Sequence, residues 1–334
     1  MALRGLRVVL LLLGLGLFGW LVVSAGPQGL FRTVARLRWG IAAVLGFYLV
    51  TLALDTWGWH FSFVGGRSRP CRWRDLFAVR LAGEAVNYVT PMAALGGEPV
   101  KADLLKRHYR LPLTEGLASL VVAKTAIAVS LALFVFSGLV VARSVGQLPA
   151  SLNRFIAVTL TLFTLLAAGF VVCQQAGLFG GLAGLLRWIP GVRRVLAAKW
   201  HRIVELDAAL GRFYRRTDLR VVWSVVFHLF GWIAGVVEIY LILRFLGLDP
   251  SVWQAWVIES FWQLIRTASF LVPAALGAQE GGVVLVAAGL GIASPLAMAV
   301  ALVRRIRELV WTGIGLGLWW WFEKRIAHSV QHGA

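Results

Sequence analysis

Acidic side chains stand in stretches that are otherwise apolar: Asp55, Glu84, Glu98, Glu238, Glu259, Glu280 and Glu308. Cations share those stretches, namely Arg80, Lys124, Arg244, Arg266, Arg304, Arg305 and Arg307. Two of the acids close near-identical motifs, PMAALGGE at 91–98 and PAALGAQE at 273–280. Proline withdraws a backbone donor and glycine leaves backbone uncovered, so in hydrocarbon such a segment strands polar groups unless protein, water or ligand satisfies them. A charge near the bilayer centre costs roughly 2.5–3.5 kcal/mol on insertion scales. Acids and cations so placed must pair or face a wet cavity, and the chemistry they offer is the binding of ions or polar head groups. Helical spacing offers Arg80–Glu84 and Arg304–Glu308 as i,i+4 pairs and sets Glu259, Gln263 and Arg266 on one face.

The elements that carry these residues follow from composition. The chain has 334 residues, 59% hydrophobic and only 14% charged, with mean hydropathy +0.79, which places it in the membrane class. Six stretches are long enough to span a bilayer: 8–24, 39–63, 114–141, 154–176, 219–246 and 296–322. The first is expected to be an uncleaved helix; its basic start (Arg4, Arg7) and apolar run also suit a signal peptide. Between crossings, 72–108 and 251–294 are each expected to form a re-entrant helical hairpin broken at the proline and glycines. Residues 178–216 mix Arg and Lys with apolar positions at helical spacing, which suits either a helix in the headgroup layer or one packed on the bundle.

With the N-terminus inside, 21 of the 33 Lys and Arg fall in cytoplasmic regions, 5 outside and 7 in membrane segments. That bias predicts both termini in the cytoplasm and the two hairpins on opposite sides. The halves 39–141 and 219–322 also run in parallel. Asp55 precedes Pro91 by 36 positions and Glu238 precedes Pro273 by 35; Lys124 follows Glu98 by 26 and Arg305 follows Glu280 by 25. The expected fold is all-α: one polytopic membrane domain with about six transmembrane helices and two re-entrant hairpins as an inverted repeat, joined by 154–218. Paired interrupted segments in matching positions place a binding site where the halves meet.

Other readings fit some of these features. The glycines of GIGLG (313–317) suit close helix approach. Most of the 16 Trp suit interface anchoring, and Asp55 and Glu238 serve equally as structural acids. The net charge of +18 is explained by cytoplasmic loops, so no nucleic-acid partner is expected. Cys71 and Cys173 lack disulfide or metal spacing, and the six His form no HExxH. No nucleotide loop or nucleophile elbow occurs. No catalytic residue, metal or cofactor is therefore expected, nor an enzyme.

Three blocks carry a family resemblance: GEAVNYVTPMAALGGEPVKADLL at 83–105, IESFWQLIRTASFLVPAALGAQEGG at 258–282 and AVALVRRIRELV at 299–310. They resemble the lysylphosphatidylglycerol synthase transmembrane-domain, or flippase-like, family, and within it the stand-alone, hopanoid-biosynthesis-associated branch of bacterial membrane proteins. The resemblance implies lipid handling. In two-domain members the membrane part is associated with moving an aminoacylated phospholipid between leaflets, while a soluble domain performs aminoacyl transfer. This chain stops about a dozen residues after its last helix, so the synthase activity is not carried over. The matching positions are Asn87, Pro91, Gly96, Gly97 and Glu98, then Pro273, Gly277, Gln279 and Glu280, then Arg304, Arg305 and Glu308. Many relatives carry a glycine soon after the second proline where this chain reads PAALG, which predicts a less broken backbone there.

The reading is a lipid-binding, flippase-like transporter in the bacterial inner membrane. Arg304, Arg305, Lys124 and Arg266 would hold phosphate or other anionic oxygens. Glu98 and Glu280, beside Glu259 and Glu308, would hold a cationic or hydroxylated head or a coupling proton. Candidate lipids are a hopanoid, an aminoacylated lipid or a phospholipid. The alternatives are an accessory scaffold partnered with lipid-biosynthesis enzymes and, behind it, an intramembrane lipid-modifying enzyme.

Overall fold

The computed structural model describes residues 2–63, 71–90, 96–144, 219–269 and 272–331, with isolated positions between 154 and 208. The expected crossing at 154–176 and the amphipathic stretch at 178–216 lie outside the described residues but for those positions. What is described is helical, with no strand. The helices are α1 (Ala2–Ser24), α2 (Pro27–Ala35), α3 (Gly40–His60), α4 (Trp73–Val89), α5 (Gly97–Tyr109), α6 (Leu113–Ser144), α7 (Leu219–Phe245), α8 (Val252–Ala268), α9 (Ala278–Gly289) and α10 (Ser294–Gln331). Among the described residues, α3, α6 and α7 are long and apolar enough to cross a membrane. With 38 residues α10 has the length too, but it carries Arg304, Arg305, Arg307 and Glu308 in its middle.

Local chemistry sets several helix ends. Ser251 Oγ accepts from the Gln254 amide at 3.2 Å while Gln254 Oε1 accepts from the Ser251 amide at 2.9 Å, a reciprocal cap that starts α8. Lys106, Arg107 and His108 fill the last turn of α5, where the carbonyl ends favour cations, and Arg110 closes it in the left-handed region.

Two four-element runs have the same plan. In the first, α3 leads to α4, a break, α5 and then α6; in the second, α7 leads to α8, a break, α9 and then α10. The leading helices α3 and α7 pack side by side and antiparallel. Gly40 meets Phe245, Gly58 meets His228, and Ser62 Oγ lies 3.0 Å from Ser224 Oγ. Helix α4 packs antiparallel on α10, with Tyr88 against Glu308 and Leu81 against Gly315, and α8 packs on α6. Equivalent helices that run in opposite directions make this an inverted repeat. Helices α1 and α2 lie outside the pattern, with α1 against α9 and the turn before it.

Each hairpin rests on its own apolar core. One core gathers Trp59, Leu76, Val79, Leu104, Leu105, Leu120 and Phe322 around α4 and α5. The other gathers Phe134, Ile239, Ile242, Trp262, Val283, Val286 and Met298 around α8 and α9. Along α6 the two cores are separated at Lys124, and along α10 at the charged stretch 304–308, so the ions occupy the layer between them.

Within GIGLG only Gly315 makes a close approach. A Cβ there would sit 2.5 Å from the Leu81 carbonyl oxygen of α4, whereas Gly313 and Gly317 face open space. Gly315→Ala is expected to lower stability by about 1–3 kcal/mol through overpacking. Gly317→Ala, at a helical position without a neighbour, is expected to leave stability equal or slightly raised. Thermal unfolding of the purified variants in detergent checks both.

Candidate functional site

A cavity of about 460 Å³ lies in the charged layer, and both halves line it. The first half contributes Asp55, Arg80, Glu84, Asn87, Tyr88, Thr90 and Lys124; the second contributes Glu238, Glu259, Gln263, Arg266, Gln279, Arg304, Arg307 and Glu308. The ends of both interrupted helices reach it, through Thr90 on one side and Val272, Ala274 and Ala275 on the other.

In the first hairpin, Asn87 ties the end of α4 to the start of α5. Its Oδ1 accepts from the Gly97 amide at 2.6 Å and its Nδ2 donates to Glu98 Oε1 at 3.2 Å. Gly97 lets the two helices close up, since a Cβ would overlap the Gly83 carbonyl. Gly96 is packed as closely, against the Thr90 hydroxyl. Glu98 is buried between Lys101, at 3.1 Å, and Lys124, at 2.9 Å, and Lys101 also holds Glu84 at 2.6 Å. Charge pattern alone assigns Lys101 to a cytoplasmic basic cluster; instead it is 3% exposed. Its place one helical turn after Glu98 explains the difference, because the turn carries it into the same apolar layer. Pro91 lies outside the described residues.

In the second hairpin Ala274 (φ +51°) and Ala275 (φ +47°) sit in the left-handed region between Pro273 and Gly277 (φ +75°), so the backbone is broken there without an early glycine. The chain reverses there with alanines held in a conformation that costs an L-residue about 1–2 kcal/mol each. Beyond the turn, Glu280 is wholly buried and accepts from Arg305 Nε at 2.6 Å. Gln279 lines the cavity, 1% exposed, with its Oε1 unpartnered among the described residues.

The central ion network crosses between elements. Arg304 is 2% exposed; its Nε reaches Glu238 at 3.2 Å and its Nη2 reaches Glu259 at 2.6 Å, with the guanidinium 4.7 Å from the Trp262 ring centre. Arg307 pairs with Glu238 and lies 4.1 Å over the Tyr48 ring. Arg305 Nη1 holds Glu308 at 2.9 Å and donates to Tyr88 Oη at 3.3 Å. Arg80 holds Asp55 at 2.8 Å. The expected i,i+4 pairs Arg80–Glu84 and Arg304–Glu308 are therefore not the pairs formed: Arg80, Glu84 and Arg304 close on neighbouring helices, and Glu308 closes on Arg305 of its own helix. Gln263 does bond Glu259 on its own helix, at 2.7 Å.

Of the expected site residues, Asn87, Lys124, Glu259, Arg266, Gln279, Arg304 and Glu308 line the cavity. Glu98, Glu280 and Arg305 stand one layer behind the wall, and Gly96, Gly97 and Gly277 shape the backbone there. Arg266 is exposed in the wall and has no ion-pair partner among the described residues. Sequence reasoning passed over His228, Tyr48 and Tyr88. Each is a single polar ring on an apolar helix, and nothing in local spacing separates it from an interface anchor.

Charge is balanced among the described residues of this wall and its backing. Seven carboxylates (Asp55, Glu84, Glu98, Glu238, Glu259, Glu280, Glu308) meet seven cations (Arg80, Lys101, Lys124, Arg266, Arg304, Arg305, Arg307).

Helical elements of membrane-crossing length around an internal ionic cavity define a polytopic membrane protein. The chain belongs to the family described as the lysylphosphatidylglycerol synthase TM region, which matches residues 7–317. It is also similar to a UPF0104 membrane protein of Methanothermobacter thermautotrophicus, 24% identical over 317 residues, covering 89% of this chain and 90% of that one. No solved structure matches it significantly.

Glu280→Gln removes one of the two buried carboxylates that hold Arg305 and leaves Glu308; it is expected to cost about 1–3 kcal/mol, seen as low accumulation in membranes or a lowered melting temperature. Ala274→Gly removes left-handed strain and is expected to raise stability by about 1 kcal/mol, net of the glycine's greater freedom when unfolded; the same melting measurement decides.

Proposed function

We propose that the protein binds the polar head of a membrane lipid in this cavity and carries it between leaflets, as a flippase-like transporter rather than an enzyme. One observation carries the reading: an ionic cavity of head-group size is built jointly by the two interrupted hairpins inside a membrane bundle. Irregular backbone at membrane depth is tolerated where it lines such a space. Arg266 is the cation to receive an anionic oxygen, because the neighbouring guanidiniums already hold carboxylates. Gln279 offers its free Oε1 to a hydroxyl group, so a monoanionic phospholipid with a hydroxylated head suits the wall.

Halves that run in opposite directions supply alternating access. If each half takes up the conformation of the other, the cavity that faces one leaflet faces the other. The lipid tails remain in the bilayer and only the head needs the polar path. Membrane lipids are the proposed partners and the bacterial inner membrane the proposed location, and the charge bias supports cytoplasmic termini.

Arg266→Gln is expected to slow lipid movement at least tenfold in reconstituted vesicles while the melting temperature stays within a few degrees, because the residue anchors no buried pair. The assay follows dithionite quenching of fluorescent phosphatidylglycerol. Unchanged movement in a folded variant would remove Arg266 from the site, and no movement by the unaltered protein would remove the transport reading.

A further inference from the structure

We propose that Asp55 and His228 form a proton-binding pair, and that one proton accompanies each anionic head through the cavity. This rests on the lipid-transport reading above and adds a coupling ion to it. His228 lies on α7, 1% exposed, and is the one fully buried histidine among the described residues. Its Nδ1 is 3.0 Å from Asp55 Oδ1. A carboxylate oxygen so paired offers only lone pairs, so Nδ1 carries the hydrogen and Nε2 is left with a lone pair. That nitrogen is buried and has no partner among the described residues. Asp55 lines the cavity and joins the ring to it.

The seam between the halves is cut to fit this pair. A Cβ at Gly58 of α3 would stand 2.6 Å from His228 Nε2, and one at Gly231 of α7 would stand 2.8 Å from Asp55 Oδ1. Glycine at both positions leaves room for the ring and for the carboxylate beside it. The pair sits where the two repeats cross, so a charge change there bears on the packing of one half against the other.

The surrounding charges do not take its place. They are Arg80 and Glu84 of α4, Lys124 of α6, Glu259 of α8, Arg307 of α10 and Glu238 on α7 itself. Each of the carboxylates is held by an arginine or lysine. Histidine is the side chain whose charge ordinarily changes between about pH 5 and 8.

The balance of charge supplies the coupling. With the imidazole neutral, the seven carboxylates and seven cations cancel. A monoanionic head would leave the ensemble at one negative charge, and a net charge inside an apolar bundle is costly. A proton taken from hydronium at the cavity forms an O–H bond on Asp55, the member of the pair that lines the wall, and restores neutrality. It returns to water when the head leaves on the far side.

The test uses the full chain in phosphatidylcholine vesicles holding trace fluorescent phosphatidylglycerol and lumenal pyranine, with the membrane potential clamped to zero. One proton per lipid predicts that a gradient of one pH unit drives the probe to about a tenfold ratio between leaflets, with lumenal alkalinisation or acidification that tracks its movement. His228→Asn and Asp55→Asn are each expected to bring that ratio to one. Probe movement by the unaltered protein that ignores the gradient overturns the coupling and leaves the transport reading standing; so does a gradient response kept by folded His228→Asn. No probe movement by the unaltered protein overturns both.

Discussion

Charge inside an apolar bundle must be matched on the spot, and most of this architecture answers that demand. Six buried or half-buried cations reach across helix boundaries to carboxylates: Arg80 to α3, Lys101 to α4, Lys124 to α5, Arg304 to α7 and α8, Arg305 to α9, and Arg307 to α7. Such pairs add little net stability relative to well-packed apolar side chains, but breaking one strands a charge and is expensive. They tie neighbouring helices together, since each pair closes only when its two helices meet as they do here. The two apolar cores supply the bulk of the burial, and the ionic layer between them fixes how the halves meet.

The same constraint separates groups left free toward the cavity from scaffold. An ion whose valence is already spent on a buried partner has little to give a ligand. Glu98 and Glu280, the acids that close the twin motifs, are of this kind: their cations hold each hairpin to the helix that follows it. What faces the cavity with capacity left is Arg266 together with the amide of Gln279. The strained turn at Ala274 and Ala275 is tolerated because the hairpin is pinned on both sides, by the Glu280–Arg305 pair and by α1 packed against it.

Spacing in the sequence carried more of this than composition did. The spacings from Glu98 to Lys124 and from Glu280 to Arg305 differ by one residue between halves, and both turn out to be ion pairs, at 2.9 Å and 2.6 Å. The repeated register was legible because the same hairpin-to-helix bridge was built twice. Pairing read from a single helix failed for Arg80 and Arg304, because i,i+4 spacing says who is near on one helix and nothing of who stands opposite. Lys101 was hidden by its neighbours Lys106, Arg107 and Arg110, which make a basic run look uniformly solvated although only its first member turns inward. His228 left no signal at all, since its partner Asp55 is 173 residues away.

By itself the sequence determined a helical membrane protein, two like halves, and the presence of polar groups that an apolar layer cannot leave unpaired. These are matters of length, periodicity and transfer cost, which each segment carries alone. Which ions neutralise one another, which cation is left without a carboxylate, and that a cavity opens between the cores were decided only in the tertiary structure. Those outcomes depend on which side chains the antiparallel crossings of α3 with α7 and of α4 with α10 bring within a few ångströms, and no local stretch encodes that.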